Sequence, residues 1–168
     1  SSDVCSSDLL IEQKVVAIFQ GQSEWGPRAL GNRSILFDPR NKDGKNIING
    51  VKKREWYRPF AGTIMLEHVH DYFEMLSLKE SPYMSFAVKA KRKAVKEVPS
   101  IIHVDGTCRI QTVTREQNKH FYELIEEFYN RTGTPILFNT SFNLAGEPLV
   151  ETLSDAIDTV NRSEIDYL

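Results

Sequence analysis

Four stretches of this sequence gather side chains that could do chemistry. The first is Glu24-Trp25-Gly26-Pro27-Arg28-Ala29-Leu30-Gly31-Asn32-Arg33-Ser34. Glycine lets a backbone approach a ligand closely and proline fixes a turn. The planar guanidinium forks of Arg28 and Arg33 suit phosphate oxygens bidentately. An arginine in such a loop can equally tie loop carbonyls together. The second stretch, Lys52-Lys53-Arg54-Glu55-Trp56-Tyr57-Arg58-Pro59-Phe60, interleaves cations with aromatic rings. That pattern can stack a purine and hold its phosphates by charge, or it can be an exposed helix end whose rings pack inward. The third is Thr107-Cys108-Arg109-Ile110-Gln111-Thr112. In a strand its period of two sets Arg109 and Gln111 on one face against Cys108 and Ile110, the polar face meeting either a ligand or solvent. The fourth, Phe138-Asn139-Thr140-Ser141-Phe142-Asn143, follows an apolar run. Hydroxyls and amides at the carboxyl end of a strand lie where open α/β sheets bind ligands, although the same residues also make caps and turns.

Other chemistries find less support. No P-loop and no G-x-G-x-x-G occurs, which excludes Walker and Rossmann sites at the motif level. His68-Val69-His70-Asp71 lacks a third ligand at convincing spacing, so no metal site is expected. Cys108 could be paired on paper with His103 or His120, but a lone cysteine in a strand is more often small core filling. Ser141 has no evident partner base, which argues against a serine hydrolase.

The elements that must position these loops follow from hydrophobic periodicity. Short apolar runs at Val15–Phe19, Ser34–Phe37, Ala61–Leu66 and Pro135–Phe138 read as strands. Met84–Val95 alternates and then turns basic, which suits an edge strand, and Ile101–Val104 with Cys108–Val113 reads as a hairpin turning at Asp105-Gly106. Helices are expected at Asn41–Val51, Glu67–Tyr72, Glu116–Asn130 and Ser154–Val160, the last with Ser154 as N-cap. Strands and helices mix without repeats or linkers. The expected class is α/β with α+β character, built on a mixed sheet.

With 168 residues, the chain is the size of one domain. Its 40% hydrophobic and 26% charged residues are those of a globular protein. The net charge of -2 argues against a cationic nucleic-acid coat, and two cysteines cannot build a disulfide framework. No apolar run is long enough to cross a bilayer, so a soluble, cytoplasmic chain is expected. The charge is unevenly spread. Glu24–Phe60 holds nine basic residues against four acidic ones, while Phe121–Leu168 holds two against nine, so the anion-receiving face is expected in the first third. The run SSDVCSSDL at residues 1–9 back-translates to a common short-read sequencing adaptor. A non-native leader is therefore expected over 1–9 and the domain over 10–168, cut at both ends.

Four ordered motifs carry a resemblance: GQSEWGPRALGNRSIL (Gly21–Leu36), KKREWYRPFAGTI (Lys52–Ile64), DGTCRIQTV (Asp105–Val113) and ILFNTSFNLAGEPLV (Ile136–Val150). Together they resemble the C-terminal domain of the O-carbamoyltransferases that act on nodulation factors and antibiotics. The resemblance implies a YrdC-like open mixed sheet flanked by helices. It also implies formation of carbamoyl-adenylate from carbamoyl phosphate and ATP, with magnesium accompanying ATP, for transfer to an acceptor hydroxyl by a separate N-terminal domain that holds the family's metal. Carried over residue by residue, the contacts fall on Arg28, Lys53, Arg58 and Arg109 as catalytic residues and on Asn139 and Ser141 as substrate-binding residues. One departure is Gln22-Ser23, where a basic residue is expected in relatives. Because the YrdC-like fold also serves tRNA modification, a nucleotide- or RNA-binding module is the alternative, weakened by the lack of a continuous basic stripe.

Overall fold

The computed structural model describes residues 2–168. Ser1 lies outside them, as do the side chains of residues 2–5, including Cys5 of the expected leader. Seven strands form one mixed sheet: β1 (Val16–Phe19), β2 (Arg33–Phe37), β3 (Ala61–Met65), β4 (Phe73–Glu74), β5 (Ala87–Ala90), β6 (Thr107–Val113) and β7 (Ile136–Ser141). Their order is β1-β2-β7-β3-β6-β5-β4. β3 and β6 run parallel and every other neighbouring pair runs antiparallel. Six helices cover the sheet: α1 (Ser2–Ile11), α2 (Gly44–Val51), α3 (Val69–Tyr72), α4 (Arg92–Glu97), α5 (Lys119–Thr132) and α6 (Leu153–Asn161).

The period of two sorts the core into two halves. Ile35, Phe37, Ile64, Cys108, Ile110, Ile136 and Phe138 point to one face, where they pack with Ile48 and Val51 of α2, Ala94 of α4 and Ala156 of α6. Leu36, Met65, Val113 and Leu137 point to the other, beneath Phe121, Leu124, Ile125 and Phe128 of α5 and Leu10 of α1. Each large side chain so buried is worth roughly 1.5–3 kcal/mol before entropy is counted. Helix α5 is well bounded. Asn118 caps its start by accepting from the Phe121 amide, and Gly133 closes its end at φ 74.

Most expected elements are present, and the corrections have local causes. Thr152, not Ser154, caps α6, in a reciprocal capping box with Asp155. The expected strand at Ile101–Val104 is absent, because Pro99 opens a turn of 3-10 helix over Pro99–Ile101. The strand expected over Met84–Val95 is confined to β5, and Arg92–Glu97 is helical. Nor is β5 an edge, since the short β4 pairs beyond it. Helix α1 was not foreseen. It crosses the boundary expected between residues 9 and 10, packs Leu9, Leu10 and Ile11 into the α5 half of the core, and pairs Asp8 with Arg131.

Candidate active site

The first loop is folded around a carboxylate. Glu24 accepts from the backbone amides of Leu30, Asn32 and Arg33 at 2.8–3.1 Å. Burial raises its pKa and these amides oppose that rise. Gly31, at φ 113, rests on the Phe121 ring so closely that a Cβ would stand 2.2 Å from it. Arg33 spends its guanidinium on the carbonyls of Gln20 and Asn32 and on the face of Phe19. It is a loop tie. Arg28 bonds only the carbonyl of Pro27 and leans into a cavity.

That cavity, about 710 Å³, opens between the first loop, the end of α2 and the turn after β7. Five cations line it, Arg28, Lys52, Lys53, Arg54 and Arg58, against the single carboxylate of Glu55. Lys53 is held at φ 52, a left-handed conformation rare for a side-chain-bearing residue, just beyond Lys52, the C-cap of α2. Lys52 turns inward and is 3% exposed. Its Nζ lies 2.5–3.2 Å from four oxygens, the carbonyl and Oγ of Ser141 and the carbonyl and Oδ1 of Asn143. Burial and the charge of Arg54 push it down to about 7. Lys53 turns outward, its Nζ on the carbonyl of Arg162. Arg58 pairs with Glu55 at 2.7 Å on the rim.

The arginines repel one another. Burial, then Arg58 and Arg109, lower Arg54 to about 10, and burial followed by Arg28 lowers Arg109. Such a convergence of cations is unfavourable until an anion enters it. Next to the basic cavity, and sharing Pro27, Arg28, Arg54 and Ser141 with it, lies a recess of about 80 Å³. Arg109, Asn139 and Thr140 line this recess. It sits at the carboxyl end of β7, where the adjoining antiparallel β3 begins.

Arg28, Lys53, Arg58, Arg109, Asn139 and Ser141 thus all border one of these two adjoining spaces. Lys52, Arg54 and Asn143, which lie in the candidate stretches but outside the contacts implied by the resemblance, line the larger one. Burial separates Lys52 from Lys53, and no pattern in Lys52-Lys53-Arg54 foretells which cation turns inward. Gln111 is buried and faces Asn139 instead of solvent. Trp56 and Tyr57 do not pack inward. Both rings are exposed, in edge-on contact at 6.1 Å, and neither lines the cavity. The remaining candidates are elsewhere. Cys108 is wholly buried in the core, and its thiol is pushed up to about 12 by that burial. His103 bonds the carbonyl of Phe60 and the Thr107 hydroxyl. His68 stacks on Tyr129, and among the described residues no three His, Cys, Asp or Glu side chains gather as a metal site. No helix among them is long and apolar enough to cross a membrane.

Known proteins place this geometry in a family. Nodulation protein NolO of Bradyrhizobium diazoefficiens is 45% identical over 172 residues, a match spanning all of this chain and 31% of that protein. Two solved structures share the fold. Full-length HypF in its phosphate- and nucleotide-bound form has a TM-score of 0.70 at 20% identity, over 96% of this chain and 20% of that one. YciO of E. coli has a TM-score of 0.67 at 15% identity, over 99% of this chain and 75% of that one. The open mixed sheet is therefore YrdC-like. The family profile described as Carbamoyltransferase C-terminus matches residues 7–168, and the chain belongs to that family.

Proposed function

We propose that this chain is the adenylate-forming part of an ATP-dependent O-carbamoyltransferase whose whole length far exceeds it. The carrying observation is the pair of adjoining spaces, one lined by five cations and a smaller one that shares Arg28, Arg54 and Ser141 with it and adds Arg109, the amide of Asn139 and the hydroxyl of Thr140. The larger suits the polyphosphate of ATP and the smaller suits the carbamoyl group. Carbamoyl phosphate is cleaved by water to carbamate and phosphate. A carbamate oxygen then attacks the α-phosphorus of ATP, a new O–P bond forms, and pyrophosphate leaves with its electron pair. Arg28, Lys53, Arg58 and Arg109 stabilise the negative charge of this step, with Lys52 and Arg54 beside them, while Asn139 and Ser141 orient the carbamoyl group. Positioning and charge do the work, with no protein nucleophile. Magnesium enters as part of the nucleotide. A separate N-terminal domain of the whole protein then transfers the carbamoyl group to the hydroxyl of an acceptor compound, with AMP as leaving group, in the cytoplasm. The phosphate and nucleotide of the HypF structure support this reading by analogy of fold.

Pyrophosphate release in a full-length enzyme carrying this domain tests the proposal, with ATP and carbamoyl phosphate varied in turn. Arg58→Ala should raise the ATP requirement. Asn139→Ala should lower the rate with carbamoyl phosphate more than it weakens ATP binding, because it removes an interaction realised mainly in the transition state. An Asn139→Ala enzyme altered only in its ATP dependence would reverse the assignment of the two spaces.

A further inference from the structure

Asn139 is 1% exposed, yet the protein uses only half of its amide. Its Nδ2 donates to Thr63 Oγ1 at 2.9 Å, to Gln111 Oε1 at 3.2 Å and to the carbonyl of Ala29 at 3.4 Å. Its Oδ1 has no partner. Gln111 is fixed in turn, because its Nε2 donates to the carbonyl of Leu30 at 3.0 Å while its Oε1 also accepts from the Thr63 hydroxyl at 2.8 Å. Rotating the Asn139 amide by half a turn would set Oδ1 against Gln111 Oε1 and the Ala29 carbonyl, an acceptor facing two acceptors. The amide is therefore locked in one orientation. A second buried polar atom near the recess also lacks a partner, the donor Nε of Arg109. An unpaired buried acceptor and an unpaired buried donor, carried by two residues lining a recess of about 80 Å³, complement a primary amide, which offers N–H and C=O side by side.

We infer that Thr63 and Gln111 are positioning residues that lock the Asn139 amide, so that the recess selects a small planar group bearing an N–H donor, the carbamoyl NH₂, over its methyl isostere. This rests on the carbamoyl reading above and adds to it the origin of selectivity. Neither residue touches the ligand. Both act through Asn139.

The test is calorimetric titration of the chain with two stable phosphonates that differ only by NH₂ for CH₃, phosphonoacetamide and 2-oxopropylphosphonate. The chain should prefer the amide at least ~10-fold, because a site built to hydrogen-bond a group rejects the analogue lacking it. In Gln111→Met and in Thr63→Val the preference should fall to within about twofold, with 2-oxopropylphosphonate affinity little changed, and Thr63→Ser should retain the preference. Circular dichroism checks folding, and if one variant fails to fold the other carries the test. Equal binding of both probes by the unmodified chain overturns the inference and leaves the anion site standing. A preference that survives in the folded variants overturns the positioning role. Binding of neither probe removes the carbamoyl reading itself, and the inference with it.

Discussion

Arg109 and Asn139 stand in one cross-strand row, each paired with Ala61 of the strand between them. Residues directly opposite in a sheet send their side chains to the same face, so both leave β6 and β7 on the side covered by α5, with only the Ala61 methyl between them. Groups set on strands keep their spacing better than groups on loops. The recess is thus built by register, while the cations of the larger cavity come from the loops around it.

Arg109 separates a binding role from a structural one. Its side chain is largely buried, its Nε is unpartnered and Arg28 repels it, so it costs the free fold something. Arg109→Met should raise the stability of the chain by about 0.5–2 kcal/mol, the gain usual when a strained functional group is removed. The same change should weaken phosphonoacetamide binding roughly tenfold, because the recess loses its charged donor. Thermal melts and calorimetry on one preparation check both signs. A variant that is less stable and binds phosphonoacetamide unchanged would make Arg109 a structural residue.

Gly31 connects the first loop to α5. An alanine there would need φ 113 and would place its Cβ 2.2 Å from the Phe121 ring. Gly31→Ala should therefore cost about 2–4 kcal/mol, combining backbone strain with overpacking. The loop that carries Arg28 should lift with it. Urea unfolding gives the cost, and a loss under about 1 kcal/mol would mean that the loop yields without strain.

The sequence disclosed the parts of this fold that rest on period and punctuation. Ile35, Phe37, Ile64 and Ile110 fall on one face and Leu36 and Val113 on the other, as alternation dictates. Gly133 stops α5 because it can adopt φ 74. What stayed hidden depends on contacts distant in the chain. The two residues of β4 have no period to detect, and they become a strand only by pairing with β5. Lys52 becomes the buried member of a run of three cations only because the Ser141–Asn143 turn supplies oxygens to its Nζ. Whether Gln111 meets a ligand or solvent stayed open on a strand face because nothing local reveals the Leu30 carbonyl and the Asn139 amide above it. The six expected site residues came from motifs, and all six border the two adjoining spaces. Thr63 and Gln111, which hold one of them, also lie inside those motifs, but their pairing spans 48 residues and no local pattern announces it.

Cys108 should be silent to thiol reagents in the folded chain. It is fully buried, and its thiol is pushed up to about 12, so almost no thiolate exists at neutral pH and none is accessible. In a Cys5→Ser background, labelling by a thiol-specific reagent should follow unfolding across a urea series. Rapid labelling without denaturant would place Cys108 outside the core.

Lys52 gives the site a pH signature of defined sign. Burial, then the charge of Arg54, lower its folded value to about 7 from an ordinary 10.5. The four oxygens around its Nζ favour the ammonium and resist that push. Below about 7 both folded and unfolded chains hold the proton, and the cost of burying the charge is present in full. Between about 7 and 10.5 the unfolded chain holds more protons than the folded one, so this group's contribution to stability improves as pH rises, by at most ~1.4 kcal/mol per pH unit for one proton. Lys52→Met removes that slope. It should also destabilise the chain at every pH, since the carbonyls of Ser141 and Asn143 lose their buried donor. Urea unfolding of both proteins at pH 7, 8 and 9 isolates the group, because the other titrating residues cancel in the difference. The stability advantage of Lys52 over Met should widen as pH rises. A difference that stays flat would mean that Lys52 keeps its proton throughout, held by the four oxygens, and a difference that narrows would reverse the sign argued here.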